Sequence, residues 1–150
     1  MRTLTVPPVG INCSNKTHYL SDPTNPDAAK WYNERHINMT NDYGFDAFKF
    51  DAGEIVWLPD NFNFHADFIN PNDFTTEYVK MVSTPGYRDR IEVRAVYRNQ
   101  DQPILVRMMD KESYWGYNNG LRTLIPTALL LTTLGEYLII YCKTYSNHSN

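Results

Sequence analysis

The stretch Phe45-Asp46-Ala47-Phe48-Lys49-Phe50-Asp51, followed by Ala52-Gly53-Glu54, decides the fold. It is short, aromatic and mostly apolar, which reads as a buried strand rather than a half-exposed one. Asp51 stands at its C-terminal end. Immediately upstream, Asn25-Pro26 is a helix start: a side chain able to cap free N–H groups, then a proline at the first helical position. Ala28, Ala29, Tyr32 and His36 follow on one face, and Gly44 is the stop. Downstream, a Pro-, Asn- and Asp-rich loop runs from Ala52 to Asn72 and holds Trp57, Phe62, Phe64 and Phe68. Loops of that length inside a compact domain usually serve function.

The same reading extends outward. Phe74, Tyr78, Met81 and Val82 recur at helical spacing over 73–83, with Asn72 or Asp73 as cap. Ile91 to Tyr97 and Ile104 to Met109 read as strands. Tyr117 to Leu134 reads as one long helix, apolar nearly all round and kinked at Pro126, hence buried. A membrane-spanning reading of Leu124 to Cys142 is disfavoured by Pro126, Gly135, Glu136 and the threonines. His18-Tyr19-Leu20 reads as the end of a short strand, and residues 1–16 as irregular, broken by Pro7, Pro8 and Gly10. Strands alternating with helices predict an α/β fold on a parallel sheet. The short gap between the last two strands is the exception, because a parallel crossover needs about a dozen residues. A barrel in which a loop replaces one helix accommodates it.

Composition narrows the function. With 42% apolar and 21% charged residues, the 150-residue chain is too apolar for a disordered tail. A net charge of −3 gives no basic excess, so no nucleic-acid partner is expected. Two cysteines, Cys13 and Cys142, cannot make a disulfide-dense scaffold. His18, His36, His65 and His148 lack metal-ligand spacing, and no glycine-rich phosphate loop is present, so neither metal nor cofactor is expected. N-glycosylation sequons begin at Asn12, Asn15, Asn38 and Asn147, which permits a luminal setting. The segment Met1 to Gly10 has no apolar run of the signal-peptide kind.

In parallel βα folds, reactive side chains project from the C-terminal ends of strands. Asp51 and Asp110 occupy two such ends. Paired carboxylates are what glycoside hydrolysis needs, although either aspartate also suits a plain loop or helix cap. Lys49 shares a strand face with Asp51 and is a cation in an apolar strand. Arg94 is similarly placed within Ile91–Val96.

Local sequence favours the catalytic alternative. Lys49-Phe50-Asp51-Ala52-Gly53-Glu54, with the Leu58-Pro59 turn, resembles the nucleophile segment of glycoside hydrolase family 31. Arg107-Met108-Met109-Asp110-Lys111-Glu112-Ser113-Tyr114-Trp115-Gly116 resembles that family's acid/base segment. The helix opening Gly120–Pro126 and the upstream Asp22-Pro23-Thr24-Asn25-Pro26 with Trp31 are also similar. The resemblance runs over about residues 20–135. It implies residues 17–135 as a partial (β/α)8 TIM barrel, about the third to sixth strand units, with 1–16 irregular and 136–150 a divergent tail. A complete barrel takes about 250 residues.

The resemblance further implies a retaining α-glycosidase acting on a carbohydrate substrate, α-galactosides included. Asp51 is then nucleophile and Asp110 acid/base. Arg94 then matches a family arginine that binds the sugar, while by their own placement Lys49 is expected to donate to a sugar hydroxyl, Trp57 and Trp115 to stack on sugar faces, and Glu54 to orient the loop. A secretory-lumen or membrane-anchored setting is implied as well. The other reading left open is an inactive fragment or a binding protein.

Overall fold

The computed structural model describes residues 3–6, 21–58, 63–84, 90–133, 137–139 and 142–143. In chain order these form β1 (Thr3–Val6), α1 (Pro26–Tyr43), β2 (Ala47–Phe50), α2 (Asp73–Val82), β3 (Ile91–Val93), β4 (Leu105–Arg107), β5 (Lys111–Glu112), α3 (Leu124–Thr133), β6 (Tyr137–Ile139) and β7 (Cys142–Lys143). Short 3-10 turns occupy Ile55–Trp57 and Leu121–Thr123. The main sheet has the order β1-β2-β3-β4-β6 and is parallel throughout. The α/β expectation therefore holds. The described residues make an open sheet, and barrel closure is not among what they display.

Helix α1 forms as its sequence dictates. The Asn25 side chain accepts from the backbone N–H groups of Asp27 and Ala28, with Pro26 in the first turn. Gly44 ends the helix at φ 66°, the left-handed region where a Cβ is costly, and its N–H reaches Thr40 O at 2.9 Å. The strand after it has two faces. Phe48 and Phe50 point to one, and register pairs them with Ile91 and Val93 of β3, which in turn meets Val106 of β4. These side chains pack with Tyr32 of α1 and with Tyr78, Val79, Met81 and Val82 of α2 in one core. The alternate residues (Lys49, Glu92, Leu105 and Arg107) take the opposite face. One sheet face is thus apolar beneath helices, and the other is largely charged.

Between β3 and β4 no helix intervenes. The linking segment is pinned to α2 instead: Asn99 is fully buried, donates to Thr76 O and accepts from the Tyr97 N–H, while the Thr76 hydroxyl donates to Tyr97 O. A loop does replace a crossover helix here.

Several expectations need correction. Residues 1–16 are not wholly irregular, since β1 lies within them and pairs with β2. The helix expected from Tyr117 to Leu134 is confined to Leu124–Thr133, preceded by a 3-10 turn. Pro126 falls in its first turn, where a backbone N–H has no intrahelical partner and a proline is tolerated. Nor is α3 buried: none of its residues is, and Ile125, Leu129 and Leu130 are exposed. Among the described residues no helix is long and apolar enough to cross a membrane. The strands expected at 45–51, 91–97 and 104–109 are shorter, at Ala47–Phe50, Ile91–Val93 and Leu105–Arg107, and apolar residues such as Val96 and Met108 lie beyond the ladder. Tyr137–Ile139, from the segment set aside as a tail, pairs with β4. His18-Tyr19-Leu20 lies outside the described residues.

His36 sits in the aromatic layer, its ring 5.3 Å from Phe50 and 5.4 Å from Phe48, and Nδ1–H donates to Tyr32 O at 2.8 Å. Burial lowers its pKa from the ordinary 6.5, outweighing the bond to Tyr32 O. The folded state therefore holds His36 neutral, whereas the unfolded chain protonates it near pH 6.5. Its contribution to stability is full above that pH and declines below it. The thermal midpoint will fall between pH 7 and 5, and the fall will be smaller in His36→Asn; equal slopes in the two proteins, read by calorimetry, would refute this.

Candidate functional site

At the C-terminal ends of β2, β3 and β4 the charged face gathers four carboxylates and three cations. Asp51 follows β2 directly. Its Oδ1 receives Arg94 Nη1 and Arg107 Nη2, each at 2.9 Å. Arg107, at the end of β4 with its side chain only 4% exposed, also reaches Asp110 Oδ1 through Nη1 at 2.5 Å and faces Glu92 Oε1 through Nε at 3.0 Å. Lys49 Nζ lies 3.8 Å from that same Glu92 oxygen, its neighbour across the β2–β3 ladder. Arg94 forks onto Glu54, with Nε to Oε1 at 2.5 Å and Nη2 to Oε2 at 3.2 Å. The hydrogen bond to Glu54 raises the Arg94 pKa, burial opposes it, and the charges of Glu54, Asp51 and Asp110 add to the rise. Arg94 is a permanent cation.

The backbone between Asp51 and Glu54 is strained. Ala52 has φ 61° and is buried, and Gly53 has φ 92°. A non-glycine residue in the left-handed region costs about 1–3 kcal/mol and persists only when its surroundings hold it. Helix α2 supplies the hold. Tyr78 donates its hydroxyl to Asp51 O at 2.9 Å, and Thr75 donates to Gly53 O at 2.7 Å. The Tyr78 ring packs over Gly53 so closely that a Cβ there would sit 2.5 Å from Cδ1. Burial first, and then neighbouring Tyr32, Asp51 and Glu54, push the Tyr78 phenol well above its ordinary pKa, so it stays a donor.

Asp110 is held from its other side. Asn119, itself at φ 57°, donates to Asp110 O at 2.8 Å, and its carbonyl accepts from Glu112 N at 3.0 Å. The loop from 113 to 119 is thereby closed beneath the acid. Gly120 lies where the chain doubles back, since a Cβ would meet Gly116 O at 2.6 Å. Glu54, Arg94 and Arg107 border a cavity of ≈ 440 Å³ whose further walls include Met109, Lys111 and Asn119. Arg94 and Arg107 therefore border open space of small-molecule size.

Of the residues anticipated, Asp51, Asp110, Arg94 and Lys49 come together in this cluster. Trp115 does not join it: the ring is 70% exposed and stacks under Arg122 at 5.6 Å, with Tyr117 5.2 Å from the same cation. Trp57 ends the 3-10 turn after Glu54, and its side chain lies outside the described residues. Asp22 and Thr24 tie down the long loop, accepting from His65 N at 2.7 Å and Ala66 N at 3.0 Å. Arg107 and Glu92 were missed as site residues. The signal that singled out Lys49 and Arg94, a charge on an apolar strand, applies equally to both.

The myogenesis-regulating glycosidase of Mus musculus is 34% identical over 119 residues, which is 79% of this chain and 16% of that protein. No family model matches. The similarity supports a place in a glycosidase-related family.

Gly53→Ala will cost about 1–3 kcal/mol, as overpacking against a fixed ring does. Unfolding in urea will show the loss, and a midpoint equal to wild type would mean that Tyr78 does not pin the loop.

Proposed function

We propose that this chain carries the catalytic carboxylate pair of a retaining α-glycosidase, on about the third to sixth strand units of a (β/α)8 barrel. The observation that carries the reading is the single guanidinium of Arg107, which bonds Asp51 and Asp110 at once at the C-terminal ends of parallel strands. One planar group spanning both carboxylates is consistent with the separation of about 5–5.5 Å that retention uses. The glycosidase-related sequence similarity supports the same reaction class.

In this mechanism Asp51 attacks the anomeric carbon as Asp110 protonates the departing glycosidic oxygen. A covalent glycosyl-enzyme results. Asp110 then takes a proton from water, whose oxygen displaces Asp51 and returns the original anomeric configuration. The carbohydrate substrate lies against Arg94 and Lys49, which donate to its hydroxyls, and Trp57 and Trp115 offer faces for sugar rings. An α-galactoside is the first substrate to try. The reaction needs no cofactor.

The test is the full-length gene product with 4-nitrophenyl α-galactoside, α-glucoside and α-xyloside. Asp51→Asn will lose at least about a thousandfold in kcat, a scale set by removal of a covalent catalyst. Asp110→Ala will also lose activity, and added azide will restore turnover by attacking the glycosyl-enzyme without base help. Proton NMR of the first-formed sugar will show retention. Wild-type turnover by Asp51→Asn would sink the assignment.

A further inference from the structure

We infer that Arg107 is a positioning residue for this reaction: it fixes the two carboxylates relative to one another and selects which oxygen of Asp51 attacks. The inference rests on the glycosidase reading and adds a residue and an atom to it. Both ion pairs on Asp51 converge on Oδ1, one from Arg94 Nη1 and one from Arg107 Nη2. Among the contacts of the described residues, Oδ2 is left to face the substrate. An oxygen held by two charge-assisted bonds is a poor nucleophile, and it is well placed to become the carbonyl oxygen of the glycosyl ester. Arg107 Nη1 likewise takes Oδ1 of Asp110, leaving that carboxyl's second oxygen to carry the transferred proton.

The guanidinium is itself held. Nε lies 3.0 Å from Glu92 Oε1 as an ion pair without hydrogen-bond alignment, and the adjacent Lys49 lies 3.8 Å from the same oxygen, so Glu92 is balanced between two cations. A rigid fork with fixed donor directions does what a lysine cannot, because an ammonium is a point charge without two parallel arms. The planar group thus converts strand register into carboxylate geometry: β3 sets Glu92, the charge of Glu92 holds Arg107 in place, and the two Nη groups of Arg107 set Asp51 and Asp110.

The deciding experiment uses the full-length protein and whichever 4-nitrophenyl α-glycoside the wild type turns over. Arg107→Lys, which retains the charge, is expected to lower kcat about a hundredfold, the penalty of an ångström-scale misplacement, with KM little changed and near-UV circular dichroism intact. Arg107→Ala should regain part of its kcat when guanidinium chloride is added at non-denaturing millimolar concentration, while equal ionic strength from sodium chloride does nothing. If the alanine variant fails to fold, the lysine variant decides alone. Wild-type kcat in Arg107→Lys, alongside a dead Asp51→Asn, would overturn the positioning role and leave the glycosidase reading standing. A loss that guanidinium does not rescue and that falls on KM as much as kcat would reduce Arg107 to a structural residue. Absence of turnover in the wild type on all three substrates, or full turnover in Asp51→Asn, would overturn the glycosidase reading and this role with it.

Discussion

A guanidinium shielded from solvent and surrounded by three carboxylates is the interaction around which this molecule is arranged. Arg107 touches Asp51, Glu92 and Asp110, which belong to three different strand ends. Burying a charge is costly, and only well-placed partners offset that cost. Here the two Nη arms each have an acceptor and Nε has the charge of Glu92 at 3.0 Å, so the parallel register of β2, β3 and β4 and the position of the cation are mutually dependent. Removing the arginine would leave carboxylates facing one another, which is why a one-sided change at such a site is expected to disturb more than a single bond.

The apolar layer on the other sheet face provides the stiffness that this arrangement needs. Helix α2 does so most directly. Its Val79 and Val82 are wholly buried against the sheet, while Tyr78 and Thr75 reach past the sheet edge to hold the backbone of Asp51 and Gly53. The strained turn at Ala52-Gly53 is tolerated because a packed helix clamps it. Core packing and site geometry are thus two ends of the same side chains. The helix-free passage from β3 to β4 follows the same logic, since Asn99 and Thr76 use α2 as the surface on which the loop is fixed.

Helix α3 shows the limit of reading burial from hydrophobicity. Its sequence LIPTALLLTT is more apolar than either of the other helices, yet no residue of it is buried. Apolar composition says that a surface favours leaving water. It does not say which neighbour covers it, because that depends on elements brought together by the fold. Among the described elements α3 packs chiefly on β6 and the 3-10 turn before it, and that contact leaves Ile125, Leu129 and Leu130 exposed.

Where local chemistry was sufficient, the sequence was legible. Asn25, Pro26 and Gly44 set the ends of α1 because capping groups and a left-handed glycine act within one turn. The core face of β2 was plain from Phe48 and Phe50. Lys49, Asp51, Arg94 and Asp110 were legible as charges where a buried strand should have none. Arg107, three residues before Asp110, carries the same signal, a charge within an otherwise apolar strand. Read together, Lys49 and Asp51, Glu92 and Arg94, and Arg107 beyond Leu105 form one alternation repeated on three strands. Period-two spacing puts each set on one face, but only the pairing of β2 with β3 and of β3 with β4 puts the sets beside one another. That step is long-range, and no local signal encodes it. The charges were visible one strand at a time, and the network exists only across strands.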